Sequence, residues 1–276
     1  MPLQINVRSS ADPLASVGAD AEVLIVGTWA FGEGKVPKAS GKAAKAGAPG
    51  PIAELAALDR HFEGALSVWA RREEFKGKRE QTLRVPTLGR LGARTLIVLG
   101  LGDKSRKGVT PAEVRALAGR AARAANGEKA SSIELVLPSG FDNHLRYVAE
   151  GLELGAYRFT KYMTGDRRPK EELGAVTVVV PAKLPRDTKA VISLGQRVAR
   201  GVNLARDLSN EPANELPPSA LAKAAEEVAK GTKLKVVVFD AKEIARRKMH
   251  LLYAVGQGSS HDPRFVHISY VPSKKS

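Results

Sequence analysis

The chain has 276 residues, of which 43% are hydrophobic and 5% aromatic, enough apolar mass for one large or two ordinary domains and too much for wholesale disorder. It contains no cysteine, which excludes disulfides, thiolate metal sites and a cysteine nucleophile and favours a reducing, cytoplasmic setting. Lys and Arg number 44 against 29 Asp and Glu, a net charge of +15 that suits a polyanionic partner such as nucleic acid and equally a set of solvated basic loops.

No apolar leader opens the chain and no apolar run approaches 18 residues, so neither secretion nor membrane spanning is expected. The first predicted element is a strand at 22–26, ending in Gly27. A Gly/Lys/Ala/Pro stretch from Gly32 to Pro51 follows, with Lys35, Lys38, Lys42 and Lys45, and reads as a surface loop. Ile52, Leu55, Leu58, Phe62 and Leu66 then recur at helical spacing, which predicts one helix. Strands are predicted at 81–85 and 94–99; the second is nearly continuous Leu/Ile/Val, as in a strand covered on both faces. Thr110, Pro111 and Glu113 form a helix start, and Asn126-Gly127 a stop. A strand at 132–137, a helix at 144–157 and a strand at 175–180 complete an alternation that implies an α/β domain with a mostly parallel sheet over residues 1–186.

One long connecting helix is predicted over 187–208, its apolar stripe formed by Val191, Leu194, Val198, Val202 and Ala205. The prolines between Asn210 and Pro218 break any helix, and Ser219 is positioned to cap the next, at 219–230. A strand at 234–239, a helix at 241–248 and strands at about 251–255 and 264–271 end a second part, 209–276.

Three blocks carry a resemblance. Gly201–Asn214 (GVNLARDLSNEPAN), Glu150–Tyr162 (EGLELGAYRFTKY) and Leu252–Ser259 (LYAVGQGS, followed by Pro263-Arg264) are similar, in order and spacing, to blocks of the leucine (cytosol) aminopeptidases. Weaker similarity covers Glu22 to Gly102, including Phe75–Lys78 and Leu99–Asp103. The resemblance implies an N-terminal domain followed by an incomplete α/β catalytic domain. It implies metal-dependent release of N-terminal residues from peptides, two divalent ions (manganese or zinc) per site, a cytoplasmic location and a homo-oligomer, a hexamer in the family. The family's metal-bearing motifs, V-G-K-G-x-x-x-D-x-G-G and N-T-D-A-E-G-R, do not occur, and the chain ends at Pro272–Ser276 where the first should begin.

No catalytic, cofactor-binding or metal-binding residue is therefore carried over, and the expectation is a truncated, inactive chain. Its alternatives are a non-enzymatic regulatory or DNA-binding protein, or an accessory subunit of an intact aminopeptidase. Lys248-Met249-His250 stands where the family usually has Gly-Met-Gly, a turn that favours glycine. His61, His144, His250, His261 and His267 do not show the one-face spacing of a zinc site and read as ordinary hydrogen-bonding residues, although His261, Asp262 and His267 are the best remaining metal candidates. Gly100-x-Gly102 lacks the third glycine of a dinucleotide loop and reads as a tight strand exit. Arg115, Arg120 and Arg123 lie opposite Val114, Leu117, Ala118 and Ala121, the pattern of a solvated helix face that could also meet DNA.

Overall fold

A computed structural model of the chain describes residues 3–10, 21–30, 55–105, 107–181 and 183–271. The predicted loop at 32–51 with its four lysines, and the helix start at Ile52, lie outside the described residues. Contacts divide the chain into two compact units, Met1–Asn203 and Leu204–Ser276.

The first unit is built on a six-stranded sheet of β1 (Gln4–Ser9), β2 (Val23–Thr28), β3 (Thr82–Pro86), β4 (Thr95–Gly100), β5 (Ser132–Val136) and β6 (Ala175–Val180), in the order β1-β6-β5-β2-β4-β3. All neighbours are parallel except β3, which runs antiparallel to β4 with Leu83 opposite Val98. The near-continuous apolar runs have the covering they require. Val23, Ile25, Ile97, Leu99, Ile133 and Leu135 face α3 (Pro111–Gly127), α4 (Leu145–Ala156) and the start of α5 (Thr188–Asn210). Leu24, Val26, Leu96 and Val98 face α1 (Ala56–His61), α2 (Ala65–Arg72) and the side chains of β3.

Three expectations for this unit are corrected. The helix expected across 52–66 is two helices, because Glu63 (φ 53°) and Gly64 (φ 86°) turn through the left-handed region. Buried Asp59 accepts hydrogen bonds from the Ser67 amide at 3.2 Å and hydroxyl at 2.5 Å and ties the second helix to the first. The apolar spacing survives because both helices bury the same face, Leu55, Leu58, Phe62 and Leu66. The first strand, β1, has no counterpart among the predicted elements; its alternate residues are polar and none is fully buried, so it gives no apolar signal.

The face of α5 that packs is Ile192, Gly195 and Ala199, next to the predicted stripe, and Leu194, Val198 and Val202 are each left 39–41% exposed. Gly195 decides this. A Cβ there would lie 2.3 Å from the Arg146 carbonyl oxygen, so only glycine lets α5 sit so close to α4.

The second unit holds the end of α5, then α6 (Pro218–Ala229), β7 (Leu234–Phe239), α7 (Ala241–Arg246), α8 (His250–Gly256) and β8 (Phe265–Tyr270), with β7 and β8 antiparallel. The segment expected as a strand at 251–255 is α8; the Tyr253 amide donates to the Met249 carbonyl at 3.0 Å, and a short apolar run does not distinguish the two conformations. Pro217 is the residue before α6 and Pro218 opens it, so Ser219 lies inside the first turn and makes no cap. Among the described residues no helix is long and apolar enough to cross a membrane.

Candidate functional site

Glu150–Tyr162 runs through α4 and just beyond it. Buried Glu150 accepts from the Arg146 Nε at 2.9 Å and pairs with the Arg115 Nε at 3.2 Å, so one carboxylate joins α3 to α4. The Tyr147 ring lies 5.4 Å from each guanidinium. Gly151 and Gly155 face α3, where added Cβ atoms would meet the carbonyl oxygens of Arg115 and Gly119, each at 2.4 Å. The Glu153 carboxylate accepts from the Gln196 amide at 2.9 Å, and the same amide group reaches the Leu3 carbonyl at 2.7 Å. Within α4, this block sets the crossing of α4 with α3 and α5.

The two weaker blocks, singled out separately in the sequence, meet in space. The Gly102 amide donates to the Gly77 carbonyl at 2.9 Å, and the Ala30 amide to the Gly102 carbonyl at 2.8 Å. A Cβ on Gly100 would lie 2.0 Å from the Lys78 carbonyl oxygen, so this glycine serves a close backbone approach. Leu101 and Pro138 press on Gly27, and Trp29 packs on Phe141 with ring centroids 6.0 Å apart. The carboxyl ends of β2 and β4, where an open α/β sheet would take a nucleotide, are thus filled by backbone and apolar side chains.

The arginines of α3 are not a uniform solvated face. Arg120 donates to the carbonyl oxygens of Gly100 at 2.5 Å and Gln81 at 2.9 Å, clamping the end of β4 to the start of β3. Its burial lowers the guanidinium pKa from the ordinary value. Arg115 is committed to Glu150. The capping box expected at Thr110 is present, with Glu113 accepting from the Thr110 amide at 2.8 Å. A groove of about 470 Å³ escaped sequence reasoning. It runs along Asn126, Lys129, Arg158 and 166–171, and brings Arg167, Arg168 and Lys170 together with Asp166 and Glu171. Its excess of cations attracts anions in general.

In the second unit, His250 opens α8, His261 follows it in a loop with its amide donating to the Ser259 hydroxyl at 3.1 Å, and His267 stands on β8 opposite Val237. His61 ends α1, and His144 lies 6.1 Å from the Tyr147 ring. Lys248 adopts φ 57°, so the turn at Lys248-Met249-His250 passes through the left-handed region on a residue that enters it at a cost.

Residues 17–166 match the N-terminal domain of the cytosol aminopeptidase family, and residues 203–276 match its catalytic domain. The chain belongs to the cytosol aminopeptidase family. Similar curated relatives are the probable cytosol aminopeptidases of Geobacter sp. (strain M21), 34% identical over 77% of this chain and 43% of that protein, and of Aquifex aeolicus (strain VF5), 34% identical over 82% and 45%. The chain thus spans less than half the length of these relatives.

Among solved structures, a tomato leucine aminopeptidase mutant shares the fold at TM-score 0.79 and 23% identity, covering 99% of this chain and 52% of that one. The bottromycin maturation enzyme BotP, solved in complex with manganese, aligns at TM-score 0.63 and 26% identity over 92% of this chain and 46% of its own. The described residues of this chain do not fit such an ion. They contain no group of three or more His, Asp and Glu able to hold a metal, and His261, Asp262 and His267 are all solvent-exposed.

Proposed function

We propose that the chain serves the chemistry of its family, metal-dependent release of the N-terminal residue of a peptide, by supplying scaffold and not reacting groups. One observation carries this reading: the chain matches the N-terminal and catalytic domains in the family's own order, and in the first of them Glu150, Gly151 and Gly155 of the matched block are spent on packing α4 against α3. On this reading, hard ligands for a divalent pair and the groups that act on a scissile carbonyl come from a part of the catalytic domain outside residues 203–276. A cytosolic location and assembly into a homo-oligomer go with this reading.

Two assays test it. The purified 276-residue chain, given a leucyl chromogenic amide with manganese or zinc, should show no turnover. Chelator-sensitive turnover co-eluting with the chain would overturn the scaffold role. A chimera joining residues 1–276 to the remaining catalytic domain of the Aquifex relative should release leucine in a chelator-sensitive way. A folded, metal-loaded chimera without turnover would overturn the aminopeptidase reading.

A further inference from the structure

Three segments of the first unit meet at one groove. α3 closes at Asn126-Gly127, and the Asn126 side-chain amide donates to the Ala156 carbonyl at 3.2 Å, which fixes the end of α3 beside the exit of α4. Arg158 follows that exit. The third wall is the link into β6. Gly165–Arg167 forms a short 3-10 turn, the Arg168 amide donates to the Gly165 carbonyl at 3.2 Å, and Pro169 stiffens the chain that follows. Arg167, Arg168 and Lys170 thereby line the groove together with Lys129 and Arg158, around a volume of about 470 Å³. The side chains of these cations are uncommitted. Elsewhere in the unit Arg79, Arg84, Arg94, Arg115, Arg120 and Arg146 bond to carboxylates or carbonyl oxygens of neighbouring residues. Among the described residues no such partner meets the side chains of Lys129, Arg158, Arg167, Arg168 or Lys170, and all are exposed.

We propose that this groove is a binding site for a compact ligand bearing two or more phosphate groups. Each of its guanidinium forks can take two oxygens of one phosphate, and the two lysines add point charge without a fixed geometry. Asp166 and Glu171 also line the groove, so five cations against two carboxylates leave three positive charges over. Those carboxylates favour a short ligand, because they interrupt the basic lining and repel a long, uniformly charged strand laid across them. The end of α3 would ordinarily oppose an anion, since a helix presents its last carbonyl groups there. Here Arg94 donates to the carbonyl oxygens of Glu128 and Lys129, at 2.9 and 3.4 Å, and offsets them. The groove lies wholly in the first unit and its occupancy is read by binding, so the site is independent of the aminopeptidase reading.

Titration calorimetry of the full chain with inorganic tripolyphosphate, at about 0.15 M salt and with a chelator present, tests the site. Saturable one-to-one binding is expected, tighter than that of inorganic monophosphate by about tenfold or more. Arg167→Gln/Arg168→Gln should weaken it by about tenfold or more. Arg71→Gln/Arg72→Gln, which removes the same charge from the end of α2, should leave it within about twofold. All four side chains are exposed, so both variants should keep the parent's circular dichroism and melting temperature. ATP forms a second arm: binding tighter than tripolyphosphate and lost with the groove arginines assigns a nucleotide, and equal or weaker binding assigns a free oligophosphate. No saturable binding, equal loss in the two variants, or monophosphate bound as tightly as tripolyphosphate would each overturn the proposal. So would duplex DNA held more tightly through the same arginines at the same salt.

Discussion

Arg120 shows how far a residue's role can depart from its place in a pattern. On the helical wheel it belongs to the polar face of α3; in the fold its guanidinium accounts for two carbonyl oxygens at the ends of β3 and β4. Arg120→Met keeps the aliphatic stem and removes both bonds, and should cost about 1–3 kcal/mol in a denaturant titration. An unchanged midpoint would show that water replaces the clamp. Glu113 gives a prediction in pH. The Thr110 amide and hydroxyl, and then Arg79, hold its carboxyl below the ordinary 4.5, so its charged form is favoured by folding. The stability it contributes is present above that ordinary value and is lost as pH falls through the lower, folded one. The difference in melting temperature between the parent and Glu113→Gln should therefore be full at pH 7 and shrink below pH ~4.5. A difference that stayed constant into acid would remove the carboxylate from the cap.

At the scale of the element, glycines decide how helices pack, and two of them should respond with opposite signs. Gly155 of α4 has the Gly119 carbonyl 2.4 Å from where a Cβ would be, whereas Gly201 of α5 has nothing within 4 Å. Gly155→Ala should destabilise by about 1–3 kcal/mol despite better helix propensity, because neither backbone can retreat. Gly201→Ala should stabilise by about 0.5–1 kcal/mol. Equal effects, read by thermal melts, would mean that the α3–α4 crossing is looser than drawn. The same logic separates what was legible from what was not. Strands β2, β4, β6 and β7 were readable because each is a nearly unbroken apolar run bounded by turn residues. Strand β1 was not, since it sits at an edge with polar alternate residues, and α8 was misread because LLYAV suits either conformation. Gly151 and Gly155 were visible as part of a family block, but their reason, the close backbone of α3, exists only in three dimensions.

At the scale of the molecule, burial is so unevenly divided that the two units should open independently. The first packs both faces of its sheet, with side chains such as Leu24, Ile97, Leu135 and Val178 fully enclosed, while the described part of the second encloses only Ala222 and Ile244. Its cross-strand Phe239–Phe265 stack, at 5.5 Å, and the Arg247 guanidinium 4.1 Å over Phe239 are contacts near the surface that do not exclude water as a core does. Opening free energies follow buried apolar contacts, so the least protected cooperative element should be the β7–β8 pair. Native-state hydrogen exchange on the chain alone should find the amides of β7 and β8 exchanging at least tenfold faster than those of β2, β4 and β5, a gap of about 1.4 kcal/mol or more in opening free energy. Equal protection would mean that the second unit derives its stability from something other than its own core.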